Sequence, residues 1–173
     1  MIFIPVDRRI AHRRLIAIFY RNFFIAITMA TMQSVPYSLL FVCLGNICRS
    51  PSAEGIMKHL IAQNNLDGQF FCDSAGTSSY HIGSPPDRRM TAAAKHRGIM
   101  LAGQARQFEP YDFERFDLIL AMDRDNLHSI LRLDGMGQNH HKVKLMCHYC
   151  QEFKDEEVPD PYYDGRFEHV YAL

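Results

Sequence analysis

Tyr37-Ser-Leu-Leu-Phe-Val42 is a short, nearly continuous apolar run, the pattern of a strand buried on both faces of a parallel sheet. A glycine-containing loop follows at once. Ser50 and Pro51 then read as the N-cap and first position of a helix reaching about Asn64, with Ala53, Ile56, Met57, Leu60 and Ile61 along one face. The unit recurs with weaker contrast: a strand over Gln69–Asp73, a helix over Pro86–Arg97 closed by Gly98, a strand over Phe116–Met122, a helix over Asp123–Leu133 and a strand over Lys142–Met146. Strands alternating with helices predict an α/β layer fold around a four-stranded parallel sheet. Ligands of such sheets sit beyond the carboxyl ends of the strands, where Cys43 and the loop after it fall. At the other end, Phe167, Val170, Tyr171 and Leu173 stand at helical spacing for only two turns. The final helix is therefore expected to be truncated, and marginal without tertiary packing.

Residues 1–36 break this pattern. Arg8, Arg9, Arg13 and Arg14 precede the apolar stretches Leu15–Tyr20 and Phe23–Met32, the order of a signal sequence or an interfacial helix. Arg21 and Asn22 split the apolar region, however, and no small-x-small cleavage site follows. The segment is read as a basic and apolar extension outside the fold, with translation from Met29 or Met32 as the simplest account. Residues 37–173 then form the folded domain, lacking most of its last helix.

A length of 173 residues suits one domain. With 47% apolar and 22% charged residues, disordered, collagen-like and disulfide-scaffold classes are excluded. The interrupted apolar stretches also make a membrane span unexpected. A formal net charge of zero hides two unlike parts: five Arg against Asp7 in residues 1–36, and 14 basic against 18 acidic residues beyond them. A mildly acidic body does not read as a nucleic-acid binder. Five cysteines, an odd number, favour a reducing compartment, hence the cytoplasm, with thiols kept for chemistry or packing.

Cys43-Leu44-Gly45-Asn46-Ile47-Cys48-Arg49-Ser50 sets a cysteine and an arginine six apart on a tight loop between a buried strand and a helix start. Loop N–H groups together with a helix N-terminus make a cradle for an oxyanion. The same field favours the thiolate of a cysteine placed in it, so Cys43 reads as a nucleophile. Arg49 can grip two oxygens of a tetrahedral anion and stabilise charge developing on it. Val42 to Pro51 resembles, in full, the valine-cysteine-x-glycine-asparagine-x-cysteine-arginine-serine-proline signature of the low-molecular-weight protein tyrosine phosphatases, and the resemblance extends over Ser38–Leu173. It implies a three-layer sandwich and a phosphatase acting on phosphotyrosine in proteins through a Cys43 phosphocysteine. No metal or cofactor is implied.

Asp160-Pro-Tyr-Tyr163 on its own is a turn starter; it resembles that family's late general-acid motif, which implies Asp160 as acid and then base. The resemblance further implies that Ser74 supports Asn46 in its strained conformation, that Tyr80 and Tyr162 wall the substrate cleft, and that Cys48 protects Cys43 through a reversible disulfide. Asp123 reads as an N-cap and loop anchor. Near Gly103 many members carry a histidine that joins the serine–asparagine network; here none is present. Cys147-His-Tyr-Cys150, with His148 or the His140-His141 pair, is half a zinc site on paper, and packing is the simpler reading. The alternatives are a thiol-dependent arsenate reductase on the same fold, whose resolving pair would have to be Cys147 and Cys150, and a noncatalytic phosphate-binding fragment.

Overall fold

The computed structural model of the protein describes residues 35–150 and 156–171. The N-terminal extension, apart from Val35 and Pro36, lies outside the described residues. In chain order the elements are β1 (Tyr37–Cys43), α1 (Arg49–Gln63), β2 (Phe70–Gly76), α2 (Arg88–Lys95), α3 (Asp112–Arg115), β3 (Leu118–Ala121), α4 (Arg124–Leu131), β4 (Val143–Leu145), α5 (Pro161–Asp164) and α6 (Phe167–Val170). Short 3₁₀ turns at His140–Lys142 and Met146–Tyr149 flank β4.

The four strands form one parallel sheet in the order β2-β1-β3-β4. Strand alternation sorts β1 into two cores. Leu39, Phe41 and Cys43 face a layer shared with Met57 and Ile61 of α1, whereas Leu40 and Val42 face Phe113, Phe116 and Ile130 on the other side. This is the α/β three-layer arrangement expected. A smaller cluster joins Ile47 and Cys48 of the loop after β1 to Met90 and Ala93 of α2 and to Phe167 of α6. No helix of the described residues is long and apolar enough to cross a membrane.

Several boundaries differ from expectation, each for a physical reason. β2 runs three residues further, through Ser74, Ala75 and Gly76, because these pair with Phe41, Val42 and Cys43; being small, they look like a turn in the sequence. A Cβ on Gly76 would lie 2.8 Å from the Leu44 carbonyl oxygen, so glycine is needed for the loop to cross there. Ser50 is not the N-cap of α1. Cys48 holds that position without a side-chain cap, and the Ser50 hydroxyl turns back toward Cys43. The second helix starts at Arg88, capped by Asp87, whose carboxylate accepts the Arg89 N–H. Pro85 and Pro86 precede it.

β1 leads to β2 on one side and β3 lies on its other, so the carboxyl ends of β1 and β3 form the switch point of the sheet. Cys43 ends β1. Asp123 follows β3, and the Val158 N–H bonds the Met122 carbonyl at 2.8 Å, which docks the segment carrying Asp160 at the same place.

Candidate active site

The loop from Cys43 to Ser50 is held from outside by its carbonyls. Thr77 N–H donates to Cys43 O at 2.9 Å, Ser78 N–H to Leu44 O at 2.9 Å, Asp87 N–H to Ile47 O at 2.8 Å and the Ser52 hydroxyl to Cys48 O at 2.8 Å. Among the described residues the N–H groups of Leu44, Gly45, Ile47 and Cys48 have no protein acceptor. Asn46 N–H is directed to Cys43 Sγ at 3.2 Å, and the Ser50 hydroxyl lies 3.1 Å from the same sulfur.

Asn46 is the strained residue, with φ at 53°. Asparagine tolerates this region better than most side chains, and here its amide is used completely. Nδ2 donates to Ser50 Oγ and to Ser74 Oγ, each at 2.9 Å, while Oδ1 accepts the Arg106 N–H at 2.9 Å. Ser74 in turn donates to Glu54 at 2.6 Å. With no histidine near Gly103, the outer partners of the network are therefore the Glu54 carboxylate and the Arg106 backbone. The Arg106 guanidinium fixes that backbone through Asp73 and the buried Asp112, both at 2.9 Å. Neither Glu54 nor Arg106 had been singled out. Glu54 also pairs with Lys58 one turn on, and the contribution of Arg106 to Asn46 is a main-chain atom with no sequence signal.

Arg49 is only 3% exposed, and both of its terminal nitrogens are bonded. Nη1 donates to Asp123 at 2.5 Å and to Val158 O at 3.1 Å, and Nη2 to Asp160 at 2.7 Å. Its Nε is buried with no hydrogen-bond partner. Burial pulls the guanidinium pKa down, but the neighbouring Cys43, Asp160 and Asp123 outweigh this and raise it, so the charge is held. Asp123 also caps α4, accepting the Asn126 N–H at 2.7 Å, and so does both jobs expected of it.

Cys43, Leu44, Gly45, Ile47, Cys48 and Arg49 line one cleft, whose mouth is formed by Ser78, Tyr80, His81, Asp160, Tyr162 and Tyr163. Asn46, Ser50 and Ser74 stand behind it. Tyr80 and Tyr163 are mostly exposed and Tyr162 is partly so. Asp160 caps the single turn of α5, accepting the Tyr162 N–H at 3.2 Å. Every sequence-predicted residue is thus in or directly behind the cleft; His81 and Tyr163 are additional. The Cys48 thiol is buried and pushed up to about 12 by that burial and by nearby Asp87 and Cys43. Cys147 and Cys150 are elsewhere, Cys147 in the α1-side core and Cys150 packed at its edge. Among the described residues none of the five cysteines is in a disulfide.

Residues 38–173 match the family model of low molecular weight phosphotyrosine protein phosphatases. A putative low molecular weight protein-tyrosine-phosphatase of Synechocystis is 62% identical over 137 residues, covering 78% of this chain and 87% of that one. The crystal structure of YfkJ from Bacillus subtilis superimposes with a TM-score of 0.78 at 42% identity, covering 82% of this chain and 89% of that one. A protein tyrosine phosphatase of Entamoeba histolytica, with Hepes in its active site, gives 0.75 at 44% identity over 79% and 88% of the two chains. The chain belongs to the low molecular weight protein tyrosine phosphatase family.

Proposed function

We propose that the protein hydrolyses phosphotyrosine in proteins, and small aryl phosphates, through a phosphocysteine on Cys43. One observation carries this reading: the buried Arg49 lines the same cleft as Cys43 Sγ and keeps Nε unpartnered, while the loop between them has its carbonyls bonded outward. That leaves a ring of N–H donors for a dianionic phosphoryl group. Cys43 Sγ attacks phosphorus as the bond to the phenolic oxygen breaks, and Asp160, carrying the proton, gives it to the leaving phenolate. Asp160 then takes a proton from water as that water attacks phosphorus and the sulfur–phosphorus bond breaks. The sum is an aryl phosphate plus water giving a phenol and inorganic phosphate.

The geometry implies an exchange of partners. Asp160 bonds Arg49 Nη2, so a phosphoryl group taken by the guanidinium replaces the carboxylate there and frees Asp160 for the leaving oxygen. Ser74 and Asn46 hold the loop, and Tyr80 and Tyr162 flank a flat aryl group. Cys48, protonated and lining the same cleft, forms a disulfide with Cys43 once a peroxide has oxidised the Cys43 thiolate to a sulfenic acid and is itself reduced to water or an alcohol: the sulfenic acid condenses with the Cys48 thiol and releases water. Such chemistry suits a reducing compartment, as does the absence of a disulfide among the described residues. The catalytic unit is residues 37–173, with residues 1–36 outside it. The arsenate reductase reading loses its resolving pair, since Cys147 sits in the core and not at the cleft.

The test is hydrolysis of para-nitrophenyl phosphate in EDTA by the full chain and by its Cys43→Ser variant. Turnover in the first and loss by on the order of 10⁴-fold or more in the second supports the reading. Turnover that survives the substitution, or a folded protein without activity, refutes it.

A further inference from the structure

The mouth of the cleft carries one group that the reaction above does not use. His81 lies on the phosphate loop itself: a Cβ on Gly45 would fall 2.9 Å from His81 Cδ2 and 3.7 Å from Nε2. Gly45 has no unusual φ, so its lack of a side chain serves this close approach. The imidazole also meets the Tyr162 ring, with centroids 6.1 Å apart. It is therefore wedged between the loop that binds the phosphoryl group and a wall of the aryl slot. Among the described residues its ring nitrogens have no hydrogen-bond or ion-pair partner.

The surroundings select what such a group meets. Arg49 and His81 are the two nitrogen bases lining the cleft, and Arg49 is committed to the phosphoryl group. Asp160 is the one lining carboxylate, and its part is at the leaving oxygen. The Ser78 hydroxyl already donates to Leu44 O at 3.0 Å. Beside Tyr162, the Arg89 guanidinium stands 5.4 Å from the ring centroid, anchored by Asp87 at 2.8 Å. The rim next to Tyr162 thus offers the unpartnered imidazole nitrogens of His81 beside a guanidinium whose charge Asp87 balances, so a carboxylate arriving there finds its hydrogen-bond donor in His81.

We propose that His81 is a specificity-determining residue that donates a hydrogen bond to an acidic side chain adjacent to the phosphotyrosine of a protein substrate. The proposal rests on the phosphotyrosine reading of the Cys43 cleft and deepens it. Preferred substrates then carry Asp or Glu next to the phosphotyrosine.

Binding is measured by fluorescence anisotropy on the full chain carrying Cys43→Ser, which holds phosphopeptide without turning it over. Two phosphotyrosine peptides are compared, identical except for Glu or Gln on both sides of the phosphotyrosine. With His81 present, the Glu peptide is expected to bind about fivefold tighter. In His81→Ala that preference falls to about onefold, and in His81→Glu it reverses, while the Gln peptide is still bound. Equal binding of the two peptides with His81 present, or a preference for Glu that persists in His81→Ala, overturns the proposal; the second result assigns the selectivity to Arg89. Failure of both phosphopeptides to bind overturns the phosphotyrosine reading together with this inference.

Discussion

The cradle loop at Cys43–Ser50 and the segment 156–171 meet at the same cleft but are held in opposite ways. The loop is braced at its carbonyls and at the Asn46 amide by partners that substrate does not need: the N–H groups of Thr77, Ser78 and Asp87, and the Asn46 relay through Ser74 to Glu54. Phe167 anchors the later segment in the small core below the loop, and Arg89 lies 4.5 Å from the Phe167 ring centroid. At the cleft itself, however, Asp160 is held through Arg49, the side chain that a phosphoryl group claims. On the proposed mechanism the nucleophile is pre-organised, and the acid is tethered by a bond that substrate binding must exchange. Preorganisation of the charge-stabilising part, with mobility left to the proton carrier, is an economical division for phosphoryl transfer.

This contrast breaks most visibly at Asp160. Asp160→Asn should lower kcat by about 10³-fold on phenyl phosphate, the loss expected for a general acid, and by less on para-nitrophenyl phosphate, whose leaving group needs less protonation. Steady-state kinetics on both substrates reads this, and equal losses would move Asp160 from acid to structural tether. Arg49→Lys, which keeps charge but not the planar fork, should cost about 10²-fold in kcat/KM, with weaker inhibition by inorganic phosphate.

On the braced side the effect moves into stability. Gly76→Ala places a Cβ against the Leu44 carbonyl at 2.8 Å, between two backbones that cannot both yield. Denaturant unfolding should show a loss of about 2 kcal/mol, accompanied by lower activity because the strained turn at Asn46 shifts. No change in either would mean that the crossing is looser than its contacts imply.

Counted per group and per pH unit, the smallest effect is in pH. Cys48 and Cys72 are both pushed up to about 12 in the folded protein, chiefly by burial, and burial also raises Tyr37 and Tyr149. Unfolded thiols ionise near pH 8.5. Above that value the unfolded chain has released protons which the folded one still binds, so stability falls as pH rises toward 12, by about 1 kcal/mol per unit for each thiol. Melting temperatures from pH 8 to 10 should decline, and Cys72→Ala should make the decline shallower. A flat profile would show that these thiols ionise freely in the folded state.

The two sides also differed in how far the sequence revealed them. β1 and its loop were legible because a continuous apolar run, a glycine, an asparagine and Ser-Pro are all local signals. Asp160 was found by the resemblance of its motif, since Asp-Pro-Tyr-Tyr alone is a turn. What escaped was set by packing between distant segments. The end of β2 reads as a turn because Ser74, Ala75 and Gly76 are small, yet Gly76 is small to fit under the loop. Ser50 has an N-cap's chemistry, but the sulfur and amide beside it outbid the helix end. Asp112–Arg115 is a single turn, too short to leave a periodicity. His81 carries no local sign of its place; only Gly45, 36 positions earlier in the chain, records its approach.

The most direct test of the account is chemical trapping. The full chain carrying Asp160→Asn is mixed with a phosphotyrosine peptide, quenched in acid within the first turnover, digested and analysed by mass spectrometry. The account predicts one added HPO₃ on the peptide that contains Cys43, absent when Cys43 is also changed to Ser. A phosphoryl group on another residue, or turnover without any covalent adduct that survives Cys43→Ser, would contradict it.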